Sequence, residues 1–391
     1  MRIKMRILLF LLLTGLIFTS CNQTETNFLE SKDAYFGLTP PGLIPEVFAP
    51  GIVSDTSWAE HCQVAVSPKG DEIYWSAWSA KYPPADTSSR STEQIYFSEF
   101  RNGSWTKPAL AEFVKNQLTI LNGGPVFSPD GKRLYFYSVN RPGGLGSMDT
   151  WYVEKTNGKW GKPINAGEPF NSKGENWSPI FTKQENAYFN FGRTIKYKFS
   201  DGKFSSPKPI VIHKDFRPIF PIYVSPDESY VIFDSFKEDN FGDLDLYISF
   251  KSKDDNWGTP INMGPDINTK SRERFPMVSP DGKYLFFMRH TPGQDFFWVS
   301  TKIIDALREK SVRKLTIWDW KNWFDLKIPV SKVDIRIDKN VAWFEVIGES
   351  GPWRNGNVYE IRMLGSLLKN ENKWLFKQIC FSYPAPLKIV E

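Results

Sequence analysis

Cysteine and histidine are both scarce in this chain, with three of each among 391 residues. Cys21, Cys62 and Cys380 are too few for a disulfide framework, and whether Cys62 and Cys380 pair is left open by the sequence. His61, His213 and His290 have no partner at H-x-x-x-H, H-E-x-x-H or C-x-x-C spacing, so no metal and no cofactor is expected from linear motifs. There is no G-x-S-x-G elbow and no P-loop, and "GKWGKP" has the wrong spacing for one. The formal net charge of +5 is spread along the chain without a basic block, which argues against a nucleic-acid partner. Long apolar runs are missing everywhere except at the N-terminus.

That one run, Ile7 to Phe18, follows the basic residues Arg2, Lys4 and Arg6. It is short for a bilayer span and suits the apolar region of a secretory signal. It stops at "IFTSC", where small residues precede Cys21 and a polar stretch, "NQTETN", begins. This resembles a bacterial lipobox. The resemblance implies a signal peptide over 1–20, lipidation of Cys21 and a tether over 21–34. The expected location is the cell envelope of a Gram-negative-type bacterium, at the outer membrane, held by acyl chains.

What the chain has in abundance is self-similarity. "VFSPDGKRLYFYS" from Val126 is echoed by "VSPKGDEIYWSA" from Val66, "VSPDESYVIFDS" from Val224 and "VSPDGKYLFFMR" from Val278. A degenerate copy, "WSPIFTKQENAYFNF" from Trp177, puts Thr182 where the others have serine. Successive markers Ser67, Ser128, Thr182, Ser225 and Ser279 are then 61, 54, 43 and 54 residues apart. Further features recur: a Gly/Pro/charged loop, a strand opening with Asp and an aromatic ("DTWYV", "DLYIS", "DFFWVS", with "QIYFS" instead in the first unit), and a turn with tryptophan ("NGSWTKP", "NGKWGKP", "DDNWGTP", weakly "DGKFSSP"). Short aromatic and β-branched runs bounded by Gly, Pro, Asn and Asp are strands. Ser-Pro-Asp-Gly is a turn, because proline presets φ and Asp-Gly supplies a cap and a left-handed residue. Three or four strands per unit match a propeller blade, with aromatics (16% of the chain) packing between sheets.

The segment before the first marker has the layout of the one before the last. The N-terminus is therefore expected to supply the strand that the last unit lacks after Trp298. The reading is an all-β fold: a β-propeller of five blades, or six if the long first unit hides another, over 35–310. A small α+β segment follows over 311–391.

These motifs resemble the WD-like propeller repeats of the TolB kind, strongly over Ser128 to Trp160 and Asp245 to Phe287. The resemblance implies an interaction platform in the bacterial envelope. Beyond Ser300, "TKIIDALREK" reads as a short helix and "KLTIWDWKNWFDL" as an amphipathic piece. A hairpin is expected around Asp338-Lys339-Asn340, and two more strands around "KNENK". These strands resemble the end of a nuclear-transport-factor-2-like (SnoaL-like) domain, with few residues in place of its pocket-lining helices.

Candidate chemistry rests on carboxylates. Glu60, Glu175 and Glu273 stand six or seven residues before their markers, and are expected to enter innermost strands near the axis. Such a ring suits a cation or cationic partner, or a glycosidase pair about 5–9 Å apart. The plainer expectation is that they cap backbone N–H groups, and Asp149, Asp245 and Asp295 likewise. "KEDNFGDLD" lacks the ligand order of a calcium loop. Two functions follow. One is a non-catalytic, lipid-anchored platform binding an envelope protein or glycan, with the loop from Ser76 to Gln94 shaping its face. The alternative is an envelope glycan hydrolase using Glu60, Glu175 or Glu273.

Overall fold

The computed structural model describes residues 27–79, 93–183, 185–190, 193–200, 203–238, 240–252, 254–291 and 293–309, and the strand backbones 330–338, 341–350, 359–370 and 373–382. Cys21, the amphipathic piece with its tryptophans, and most of the loop between Ser76 and Gln94 lie outside the described residues. Contacts divide the chain into two units, Met1–Ile303 and Ile304–Glu391.

The first unit is a five-bladed propeller of antiparallel sheets. The innermost strands are Trp58–Val66, Asn122–Phe127, Ile180–Phe181, Tyr223–Val224 and Glu273–Val278 in blades 1 to 5. Each pairs with a second strand: Glu72–Ser79, Arg133–Val139, Ala187–Asn190, Tyr230–Ser235 and Tyr284–Arg289. Third strands follow at Glu93–Arg101, Met148–Thr156, Thr194–Tyr197, Asp245–Phe250 and Asp295–Ser300. The outer strand of blade 5 is Glu46–Val47 from the N-terminal side, with Glu46 opposite Trp298 and Val47 opposite Phe297. Phe48 follows, fully buried, its ring 4.9 Å from Phe286 and 5.2 Å from Trp298. The ring therefore closes by joining its two ends in one sheet, as the sequence layout implies.

The repeated motifs build this architecture. The hydroxyls of Ser128, Ser225 and Ser279 donate to Asp130, Asp227 and Asp281, at 2.6–2.7 Å. The same hydroxyls accept the N–H of Arg133, Tyr230 and Tyr284, where the second strand begins. The turn's fourth position is left-handed, at φ 85, 69 and 74° for Gly70, Gly131 and Gly282. The degenerate unit makes the same turn: Glu185 N–H donates to the Thr182 carbonyl, with Glu185 at φ 55°. The five turns surround a cavity of about 270 Å³ whose lining includes Val66, Phe127, Phe181, Val224 and Val278, one from each blade.

Blades 2 and 4 share a second device. Asp149 accepts the N–H groups of Leu145 and Gly146 and the amide of Asn165; Asp245 accepts those of Phe241, Gly242 and Asn262. Asn171 and Asn268 then bond both backbone groups of Thr150 and Leu246, at 2.8–3.0 Å. A β-carbon on Gly146 or Gly242 would lie 2.4 or 2.0 Å from a carbonyl oxygen of the following loop. The repeating Asp, Asn and Gly thus fasten the loop after the second strand to the entry of the next blade.

In the second unit, four strands form an antiparallel meander: Val330–Asp338, Val341–Ser350, Tyr359–Asn370 and Lys373–Ser382. Its hairpins close at Asp338 opposite Val341 and at Asn370 opposite Lys373. Residues 302–309 are helical. Among the described residues no helix is long and apolar enough to cross a membrane.

Candidate site at the mouth of the ring

Innermost strands run toward the Ser-Pro turns, so their first residues and the loops between second and third strands share the opposite face, called here the mouth face. Glu60, Glu175 and Glu273 all belong to it, but they do not converge. Glu60 donates its N–H to the Gln294 carbonyl, at the junction of blades 5 and 1. Its fully buried carboxylate accepts from Asp55 N–H and Trp58 Nε1. Glu273 N–H reaches the Leu244 carbonyl between blades 4 and 5. Its carboxylate, also fully buried, takes Thr269 N–H, Thr269 Oγ1 and Arg289 Nε at 2.7–3.1 Å. Glu175 is exposed and bridges to Met148 between blades 2 and 3. Two of the three are backbone caps, and each marks a different blade junction.

A different group of residues does meet near the axis. Along a strand, successive side chains point to opposite faces. His61 and Cys62 escape this because the pairing of blade 1 slips between His61 and Ala65. Between these pairs three residues of the inner strand, Cys62 to Val64, lie opposite one of its neighbour, Trp75, whereas blades 2 and 5 set two against one. Cys62 takes up the slack at φ 62°, left-handed backbone that a residue with a β-carbon adopts only at a cost.

Glu93, opening the third strand of blade 1, and Tyr137, from the second strand of blade 2, complete the group. Nδ1 of His61 lies 3.0 Å from Glu93 Oε1 and 3.2 Å from Cys62 Sγ. The Tyr137 hydroxyl donates to Glu93 Oε2 at 2.5 Å and stands 3.3 Å from Cys62 Sγ. Cys62 and Glu93 are fully buried, Cys62 is free of any disulfide, and His61 keeps 18% of its side chain exposed. Burial pushes the Cys62 thiol up, against the influence of His61. Burial disfavours the His61 imidazolium, but Cys62 and Glu93 outweigh it and hold His61 well above the ordinary histidine value.

Thiol and carboxylate both address the same imidazole nitrogen. A nucleophilic Cys–His–acid relay needs them on opposite nitrogens, so this is not that arrangement.

Aromatic rings floor the mouth around this group. Phe275 stands 5.2 Å from His61, 5.3 Å from Phe220 and 6.2 Å from Trp177. Arg274 lies over Phe220 and Phe275 at 4.7 and 5.0 Å. Its charge faces Asp234, whose carboxylate accepts Ile219 and Phe220 N–H and is pushed up to about 6 by burial.

Sequence reading missed this cluster because its members come from three strands in two blades. One signal was present: the first unit has one more residue than the last between its glutamate and its marker.

No family model matches the chain, and no curated protein does. Solved structures similar to it include propellers. A putative TolB from Agrobacterium tumefaciens shares 10% identity over 76% of this chain and 79% of its own, with a TM-score of 0.34. An oligogalacturonate lyase from Vibrio parahaemolyticus shares 12% over 62% of this chain, TM-score 0.33, and the match spans 66% of the lyase. A thermostable family-43 glycoside hydrolase shares 13% over 64% of this chain and 90% of its own, TM-score 0.39. At such values nothing about ligand or chemistry passes from them to this chain.

Proposed function

We propose that the protein is a lipid-anchored envelope propeller that binds a protein partner through its mouth face, without catalysis. The observation that carries this reading is the rim of that face. Leu145 and Phe241 hold equivalent places in the loops of blades 2 and 4 and are 53% and 47% exposed. Phe236, on the same loop as Phe241, is exposed as well. Each loop is pinned by its aspartate, Asp149 or Asp245. Rigid loops that present large apolar side chains to water mark an association surface. Their apolar character favours a protein over a glycan. The anchor is Cys21, on the strength of the leader that precedes it.

The glutamates named for the hydrolase alternative, Glu60, Glu175 and Glu273, stand at separate blade junctions, which favours the binding reading. The test is co-purification from crosslinked envelopes. The full chain should retain a partner that Leu145→Asp/Phe241→Asp loses while folding normally. Labelled palmitate should enter the wild type and not Cys21→Ser. Retention of all partners by the double variant, or turnover of a glycan panel by the wild type, would overturn the reading.

A further inference from the structure

Three features that are unfavourable taken singly meet at one point of the ring. The slip in blade 1 brings two adjacent side chains, His61 and Cys62, to the same side. Cys62 holds left-handed backbone to do so. Gly123, at the start of blade 2, gives up its side chain, because a β-carbon there would lie 2.2 Å from Glu93 Oε1 and 2.5 Å from the Tyr137 hydroxyl. The outcome is one nitrogen, one sulfur and one carboxylate oxygen, all within 4.8 Å of one another.

We propose that His61 Nδ1, Cys62 Sγ and Glu93 Oε1 form a binding site for a zinc-class divalent cation, with Tyr137 holding Glu93 in place. Distances support it. Bonds of about 2.0–2.3 Å in a tetrahedron put neighbouring donor atoms about 3.3–3.8 Å apart. The nitrogen sits 3.2 Å from the sulfur and 3.0 Å from the oxygen, separations that an ion would widen by a few tenths of an ångström, and sulfur and oxygen lie within 4.8 Å of each other, near enough for side-chain rotation to bring both to one ion. The donor set suits zinc: imidazole, thiolate and carboxylate are its ordinary ligands, whereas calcium and magnesium take oxygen alone.

Charge balances too. A thiolate and a carboxylate neutralise one divalent ion inside a buried site, and the nearby Arg274 is offset by Asp234. The Tyr137 hydroxyl on Glu93 Oε2 is the outer partner that fixes a ligating carboxylate and leaves Oε1 for the metal. Among the described residues three protein donors converge, which leaves a fourth coordination position for a further ligand. His61 is the member of the group that reaches solvent, toward Trp78 and the mouth.

This inference stands apart from what the mouth face binds. It is tested on the purified full chain, stripped with chelator and dialysed against Zn²⁺ or Co²⁺. One ion per chain is expected, with a thiolate-to-cobalt charge-transfer band. Cys62→Ser should abolish the band. Glu93→Gln should weaken Zn²⁺ binding at least about tenfold and Tyr137→Phe about tenfold. Cys380→Ser should change nothing. X-ray absorption of the zinc-loaded wild type needs no variant at the site and should show one sulfur in the first shell. Absence of stoichiometric binding, a shell of nitrogen and oxygen only, or a cobalt band that survives Cys62→Ser would overturn the assignment.

Discussion

The carboxylate of Glu93 fills the space that a side chain on Gly123 would need, 2.2 Å from where its β-carbon would stand. One blade's acid is thus built into the next blade's innermost strand. Gly123→Ala must displace both Glu93 and Tyr137. It is expected to destabilise the propeller by about 1–3 kcal/mol in urea unfolding. Gly42→Ala, with nothing within 4 Å of the new methyl, should stay near neutral. Equal effects of the two would refute the tight fit.

Ring closure uses a two-residue strand and the buried rings of Tyr35 and Phe48, both packed on Phe286 and Trp298. Phe48 N–H donates to the Phe296 carbonyl at 2.8 Å, and its side chain packs on Phe286 and Trp298. Phe48→Ala should cost about 3–5 kcal/mol. Amide hydrogen exchange should quicken in Asp295–Ser300 before it does in Arg133–Val139. Uniform protection after the substitution would contradict closure by this strand.

Glu228 takes the left-handed turn position where blades 1, 2 and 5 have glycine, at φ 58°. Lys196 and Lys251 lie 2.7 and 3.3 Å from its carboxylate, and Asn186 donates to it at 2.9 Å. Burial opposes its ionisation, but Lys196, Asn186 and Tyr188 prevail and pull it down to about 2 from an ordinary 4.5. The folded value is the lower one, so the stabilisation is complete above pH 4.5 and fades as pH falls toward 2. Glu228→Gln should cost about 1–3 kcal/mol at neutral pH and progressively less through that window. A difference independent of pH would rule the ion cluster out.

Glu60 should behave in the opposite sense. Burial pushes it up to about 9, above an ordinary 4.5, and Asp295 adds to this. Here the folded state holds a proton that the unfolded chain releases. Stability is therefore greatest below pH 4.5 and declines as pH rises toward 9. Melting of Glu60→Gln across that range should lack the decline, so that the variant gains on wild type steadily from the acid end to the alkaline end. Parallel curves for the two proteins would contradict a neutral, buried Glu60.

Local features of the fold were legible in the sequence. Ser128-Pro129-Asp130-Gly131 states its own turn, and Thr182 marks its degenerate copy, because those hydrogen bonds run between residues two to five apart. The pairing of Glu46 with Trp298 was legible as well, through the repeated layout before the first and last turns. Glu60, Glu273, Asp149 and Asp245 were legible as backbone caps, while Glu175 stands exposed and Asp295 accepts from the Thr291 hydroxyl instead. The group around His61 was not legible. Glu93 reaches it from 32 residues away and Tyr137 from 76, and only a slip in strand pairing turns Cys62 toward them. An extra residue in one repeat is a faint sign, and its meaning depends on which neighbouring blade vacates space for it.

The binding account is tested most directly by placing a photo-crosslinking amino acid on each face of the ring in living cells. Leu145 and Phe241 serve for the mouth face, and the exposed Lys132 and Lys283 for the turn face. The account predicts one discrete protein adduct from both Leu145 and Phe241 and none from Lys132 or Lys283. Adducts from the turn face alone, or from neither face, would contradict it.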